Sequence, residues 1–394
     1  MTPSMSSRER MLAALGHQPV DYVPCAFMLY GALKSRCASY AEFIERQVEM
    51  GLDTIVELPP RPPQVVNDYY NLHGLPVTPD PQVKTSEWVE QVPGEEWPIL
   101  VKEYLTPAGP LRCEVRQTAD WRWGDHVPFL DDYIVPRARK HLVEKIEDLP
   151  ALEYLLGSLS EQEIADFRAA AQPAIEQARR HGLLLAGGWG VGADLIGWVH
   201  GLSSLVYSIH DQPEFIAALL DLIARWNRQR MAVLLEANLD LYIKRAWYEN
   251  CDFWSPRTWK KYLFPILQED VALTHQAGTR FAYLLTSNAM PLVDLIAEAG
   301  VDVLIGVDPQ AWDLPVLKHK LQGKVALWGG VNGHLTVEQG QPAEVRQEVQ
   351  RAMECLAPGS GFILSPVDNV REDTARSWEN VQALLEEWRR LRAI

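Results

Sequence analysis

The sequence predicts an α/β protein, a single (β/α)8 TIM barrel over residues 1–394 with a hairpin-containing insertion near residues 59–135. Three observations carry this. Short β-branched runs alternate with longer amphipathic stretches along most of the chain, eight such runs can be marked, and most are apolar throughout. Continuous apolar strands are buried on both faces, as parallel strands flanked by helices require. Eight of them favour a closed barrel over an open doubly wound sheet.

The elements follow in order. Residues 7–16 read as a helix, with Arg8, Arg10 and His17 opposite Met11, Leu12 and Leu15. VPCAFM, 23–28, is a short apolar run and the first strand. A helix over 40–50 ends at Gly51, and LDTIVEL, 52–58, is the second strand. The rhythm then breaks. Residues 59–135 are rich in Pro, Gly and Trp, and 97–105 and 111–117 alternate as antiparallel hairpins do. This stretch is expected to fold over one mouth of the barrel.

After a long helix at 161–181 the alternation resumes. Strands are expected at 183–187, 241–247, 280–285, 301–306, 325–329 and 361–366. Helices are expected at 213–238, 255–277, 290–299, 314–322, 342–356 and 375–391. The Gly187–Gly192 run, GGWGVG, follows a strand and precedes a helix. No second strand with an acidic residue follows at nucleotide-binding distance, so a tight βα turn is the preferred reading over a dinucleotide loop.

Composition narrows the function. A net charge of −15 and a pI near 5.2 argue against nucleic acid, whose phosphates need clustered Lys and Arg. The opening MTPSMSSRERMLAAL has no apolar stretch before a cleavage site, and no long apolar run occurs elsewhere, so neither secretion nor a membrane is expected. The five cysteines, Cys25, Cys37, Cys113, Cys251 and Cys355, are scattered, with no CxxC pair, which suits a reduced cytoplasmic compartment.

Several segments resemble the uroporphyrinogen decarboxylase superfamily. SSRERMLAALGHQPVDYVP is similar to its N-terminal signature, and YLTPAGPL (104–111) to the TPxGxL hairpin of its methyltransferase branch. KHLVEKIEDLPALEYLL (140–156), WSPRTWKKYLFPIL (254–267), GGVNGHLTVEQGQPAEVRQEVQRAM (329–353) and GFILSPVDNV (361–370) resemble later units in the same order. The resemblance implies a barrel enzyme that decarboxylates or transfers a methyl group, working with a corrinoid carried by a partner protein. Two departures stand out. The decarboxylases carry an Arg-rich RQAGR motif after the first strand, where this chain has Leu29-Tyr30-Gly31-Ala32-Leu33. The methyltransferases hold zinc through His-x-Cys at the fifth strand end and a Cys after the eighth, where this chain has Thr286-Ser287-Asn288 and Ser365-Pro366-Val367-Asp368. Neither uroporphyrinogen nor a Cys/His zinc site is therefore expected.

Barrel sites form at the C-terminal ends of the strands. Those ends nominate Glu249 and Asp368 as catalytic, and Glu57, Arg245, Tyr248, Ser287, Asn288, Asp308 and Asn332 as substrate-binding. Ser287 and Asn288 stand where the resemblance puts metal ligands. No metal ligand is nominated. Arg245 follows Lys244 at the end of an apolar strand, where an unpaired cation is costly to bury. Either it holds an anionic substrate group or it pairs with Glu249, Asp302 or Asp308. Glu249 is read as acid–base or oxygen-ligand chemistry, Asp252 as the cap of the helix near Ser255, Asp308 as part of a possible turn, and His334 as a turn histidine.

The resulting expectation is a uroporphyrinogen decarboxylase-like methyltransferase acting with a corrinoid partner on a small anionic organic substrate. Its alternatives are a decarboxylase of another carboxylated substrate and a non-catalytic ligand-binding barrel. No tightly bound cofactor is expected, because no cobalamin-binding Asp-x-His-x-x-Gly motif is present. A homodimer is compatible with this reading.

Overall fold

The computed structural model describes residues 4–58 and 74–393. Seven parallel strands form one curled sheet: β1 (Ile55–Leu58), β6 (Leu184–Val191), β7 (Leu241–Arg245), β8 (Arg280–Leu284), β9 (Val303–Val307), β10 (Ala326–Asn332) and β11 (Phe362–Val367), hydrogen-bonded in that order. The residues expected as a further strand, 23–28, make isolated bridges instead, Cys25 to Leu364 and Leu29 to Asn369. Pro24 has no N–H to give, and the Met28 N–H goes to the Ser365 hydroxyl at 3.4 Å. The segment still lies between the two ends of the sheet. Ala26 N donates to Leu364 O on one side, and Asp53 N donates to Cys25 O on the other.

The insertion holds the second sheet, antiparallel in the order β2 (Lys84–Glu90), β3 (Ile99–Thr106), β4 (Gly109–Arg116), β5 (Ala138–Lys140). Strands β3 and β4 are the expected hairpin, closed at Thr106 opposite Gly109. Gly109 has a φ of 125°, which a side chain would resist. The mostly exposed, charge-bearing β2 forms an edge of this sheet. The start of the insertion, 59–73, lies outside the described residues.

Helices wrap the sheet, and their ends follow local chemistry. Ser6 and Glu9 form a capping box on α1 (Ser7–Leu15). Ser160 and Glu163 do the same for α5 (Glu161–His181), which stops at left-handed Gly182. The helix expected over 255–277 is two, α9 (Pro256–Tyr262) and α10 (Phe264–Gln276), divided before Pro265. The helix expected after the glycine run is α6 (Ala193–Val199), and a further helix that was not anticipated, α7 (Leu202–Asp211), follows it before α8 (Pro213–Leu235).

Two apolar clusters result. One fills the inside of the curled sheet: Ile55, Leu184, Ala186, Leu241, Ile243, Ala282, Leu284, Val303, Ile305, Ala326, Trp328 and Ile363. The other lies between strands and helices, and it includes Leu100, Tyr104 and Val115 of the insertion sheet. No helix among the described residues is long and apolar enough to cross a membrane.

Candidate active site

The inner cluster takes alternate residues of each strand, as the pleat dictates. Extending that alternation to the C-terminal ends turns Glu57, Arg245 and Ser365 toward the mouth. A narrow cleft of about 10 Å³ opens there, lined by Met28, Leu29, Trp247, Leu284, Thr286, Ile305, Trp328, Ser365 and Asp368. It adjoins a cavity of about 170 Å³ lined by Tyr30, Lys34, Tyr40, Gln47, Glu57, Trp189 and Asn369. Two non-glycine residues lining these spaces carry positive φ, Trp189 (62°) and Asp368 (66°), as does Asn288 (32°) in the loop after β8. Such backbone strain persists only where the surroundings enforce it, and it concentrates at functional sites. At Trp189 the cause is a bulge: the register of β6 against β7 shifts between Gly188 and Gly190. The glycine run is thus a distorted strand continuing to Val191, where a tight turn was expected.

The end of β7 carries most of the charge. Lys244 points outward and pairs with Asp270 of α10 at 3.0 Å, which Arg228 also contacts. Arg245 is 6% exposed. Its Nε donates to Asp194 Oδ1 at 2.9 Å, and its Nη2 donates to both oxygens of Asp132 at 2.9 and 3.0 Å. The guanidinium lies 3.9 Å from the Trp247 ring centre and 4.9 Å from that of Trp198. None of the three partners weighed from the sequence (Glu249, Asp302, Asp308) holds it. The acids come from elements far away in the chain.

Glu249 is buried, accepting a hydrogen bond from Ala193 N at 3.1 Å and another from the Tyr283 hydroxyl. Burial and this carboxylate push the Tyr283 phenol well above its ordinary value. Asp194 is fully buried with Oδ2 unpartnered. Desolvation raises its carboxyl to about 6 despite the pull of Arg245, with Glu249 and Asp132 adding to the rise. Glu249 and Arg245 therefore do not pair with each other. They flank Asp194, each through its own bonds.

The other nominated residues divide. Tyr248 OH donates to Asp132 at 3.2 Å, joining the Arg245 network. Glu57 accepts from the Trp189 indole N–H at 3.2 Å and lines the larger cavity. Asp368 lines the cleft. It is open to water on one side, yet the crowded mouth displaces enough solvent to raise its carboxyl, against the pull of Arg371. Ser287 accepts from Asn250 Nδ2 at 3.0 Å, and Asn288 Nδ2 donates to Asp252 at 2.6 Å. Asp308 and Asn332 bond to each other at 2.8 Å. Each also holds a local turn, Asp308 through Gln310 N and Asn332 through Leu335 N, which accounts for both structurally. Asp252 does not cap the following helix; Ser255 does, accepting from Thr258 N.

Sequence reasoning passed over Asp132, Asp194 and Glu338, the partner of the turn histidine His334. Asp194 had a signal, a lone acid in the apolar helix ADLIGWV. Asp132 had none, since it belongs to an irregular turn. His334 is exposed, but its Nδ1 lies 2.8 Å from buried Glu338. Glu338 also accepts from the backbone N–H groups of Arg371 and Glu372, tying the π-helical turn Gly333–Glu338 to the segment after Asp368. Among the described residues no group of three or more His, Cys, Asp or Glu is arranged to hold a metal ion.

Comparison with known proteins agrees with this architecture. Among solved structures the chain is similar to a methyltransferase from Methanosarcina mazei, at 16% identity over 98% of this chain and 99% of that one, with a TM-score of 0.60. It is more distantly similar to a putative vitamin-B12-independent methionine synthase from Listeria monocytogenes (16% identity, 59% of this chain and 69% of that one, TM-score 0.36). No curated protein matches the sequence. The uroporphyrinogen decarboxylase (URO-D) family model matches residues 126–391, about two thirds of the chain. That span takes in six of the seven strands of the curled sheet, together with Asp132, Asp194, Trp198, Arg245 and Tyr248, and the chain belongs to the uroporphyrinogen decarboxylase family.

Proposed function

We propose that this protein is a methyltransferase that works with a corrinoid-carrying partner on a small anionic organic substrate, as a single barrel unit in the cytoplasm. The observation that carries this is the mouth itself, where a cleft walled by Trp247, Trp328 and Met28 with Asp368 at its edge adjoins a cavity of about 170 Å³ beside Glu57 and Trp189. Apolar walls around one carboxyl suit a small organic group. The end-to-end likeness to the Methanosarcina mazei methyltransferase favours methyl transfer. A corrinoid would serve as the methyl donor or acceptor. A corrin ring is too large for the cleft or its adjoining cavity, so the residues that would meet it are those of the rim, Asp368 among them. Within the chain, the aromatic walls exclude water and Asp368 holds or releases a proton beside the substrate.

Asp368 also favours a second reading. A carboxyl raised by desolvation can protonate the carbon left when a substrate loses CO2, with the electrons of the broken C–C bond taking the proton. One experiment separates the readings. The protein is incubated with methylcobalamin and a panel of small carboxylated organic compounds, and both loss of the methylated spectrum and CO2 release are followed. Protein-dependent demethylation supports methyl transfer, and CO2 release without demethylation supports decarboxylation. Neither signal across the panel would count against both and favour a ligand-binding barrel.

A further inference from the structure

We infer that Arg245, Tyr248 and Trp198 form a carboxylate-binding cradle for the substrate, occupied in this structure by the chain's own Asp132. This rests on the anionic-substrate reading above and names the group recognised. Four hydrogen bonds converge on Asp132: two from Arg245 Nη2 at 2.9 and 3.0 Å, one from Trp198 Nε1 at 2.8 Å and one from Tyr248 OH at 3.2 Å. A guanidinium stacked on an indole and flanked by neutral donors is how proteins hold a carboxylate.

The donors and the acid they hold differ in kind. Arg245 ends β7, Trp198 belongs to α6, and Asp194 fixes the guanidinium from behind through Nε. Those side chains are rigidly buried. Asp132 stands in a turn of the insertion, with 35% of its side chain exposed against 7% for Arg245. Its neighbours Leu130 and Ile134 are buried, so the turn can stay packed while the Asp132 side chain alone rotates into water. An incoming carboxylate then replaces one of equal charge, and Asp194 keeps its counter-ion. Trp247 joins cradle to site, since its ring covers Arg245 and also lines the cleft.

The probe is benzoate, with neutral benzamide as its isostere, read by tryptophan fluorescence on the full chain. Asp132→Ala removes the resident carboxylate from a turn position whose side chain is 35% exposed, and its melting curve verifies folding. Benzoate should bind Asp132→Ala at least ~10-fold more tightly than wild type, as expected for a freed charge-assisted site. Benzamide should bind neither, and adding Tyr248→Phe should weaken benzoate several-fold. Wild type should still respond to benzoate at higher concentration. The inference is overturned if benzoate and benzamide bind Asp132→Ala alike, if its benzoate affinity equals that of wild type, or if wild type never responds. Methyl transfer to or from substrates lacking a carboxylate would survive that failure, which keeps the two readings distinguishable.

Discussion

Arg245 and Asp194 form an ion pair in the interior, Nε to Oδ1 at 2.9 Å, with side chains 7% and 0% exposed. Breaking such a pair from one side leaves the other charge uncompensated. The sequence left two roles open for Arg245, holding an anionic substrate group or pairing with an acid, and the structure shows it paired. Arg245→Met should therefore cost about 3–5 kcal/mol of stability. Adding Asp194→Asn should restore part of the loss. Thermal unfolding of the three proteins tests this, and an unchanged melting temperature in Arg245→Met would contradict the pair.

Asp194 also makes a pH prediction. Its folded carboxyl titrates near 6, above an unfolded value near 3.8. In this range the folded protein binds the proton more tightly, so stability falls as pH rises from about 4 to about 6 and the loss then levels off. Two pH units correspond to about 3 kcal/mol. Wild type should thus lose stability relative to Asp194→Asn across that window and run parallel to it above. Denaturant unfolding at several pH values reads the difference, and a constant gap from pH 4 to 7 would refute the assignment.

Gly192 begins the turn into α6, and a Cβ there would fall on Glu249 Oε1. Gly192→Ala should therefore displace Glu249 from Ala193 N and from the Tyr283 hydroxyl, destabilising the protein by about 2 kcal/mol or more through an unsatisfied buried carboxylate. Chemical denaturation gives the value. A Glu249→Gln/Gly192→Ala double variant should lose less than the sum of its single changes, because both act on one contact.

Metal analysis of purified protein should find no stoichiometric zinc held by cysteine and histidine, because the fifth and eighth strand ends offer Ser287, Asn288 and Asp368. Zinc bound through Cys251 and a histidine would refute this. Uroporphyrinogen should likewise give no coproporphyrinogen above background, since Leu29–Leu33 supplies no arginines.

Much of the curled parallel sheet was legible because its strands are local, continuous apolar runs whose burial on both faces depends on composition alone. Strands β6 to β11 and most helices fall where hydrophobic pattern and caps place them. The segment 23–28 escaped that logic. Its apolar run reads as a strand, yet whether it joins a ladder depends on Ser365, 337 residues away in sequence, taking the Met28 N–H. The site divides for the same reason. Position at a strand end is a local property, so the sequence itself pointed to Glu57, Arg245, Glu249 and Asp368 as candidates. Which charges meet is a property of long-range packing. Asp132 lies 113 residues before Arg245 and Asp194 lies 51 before it, so only the closed fold could decide that Arg245 holds these two acids and not Glu249.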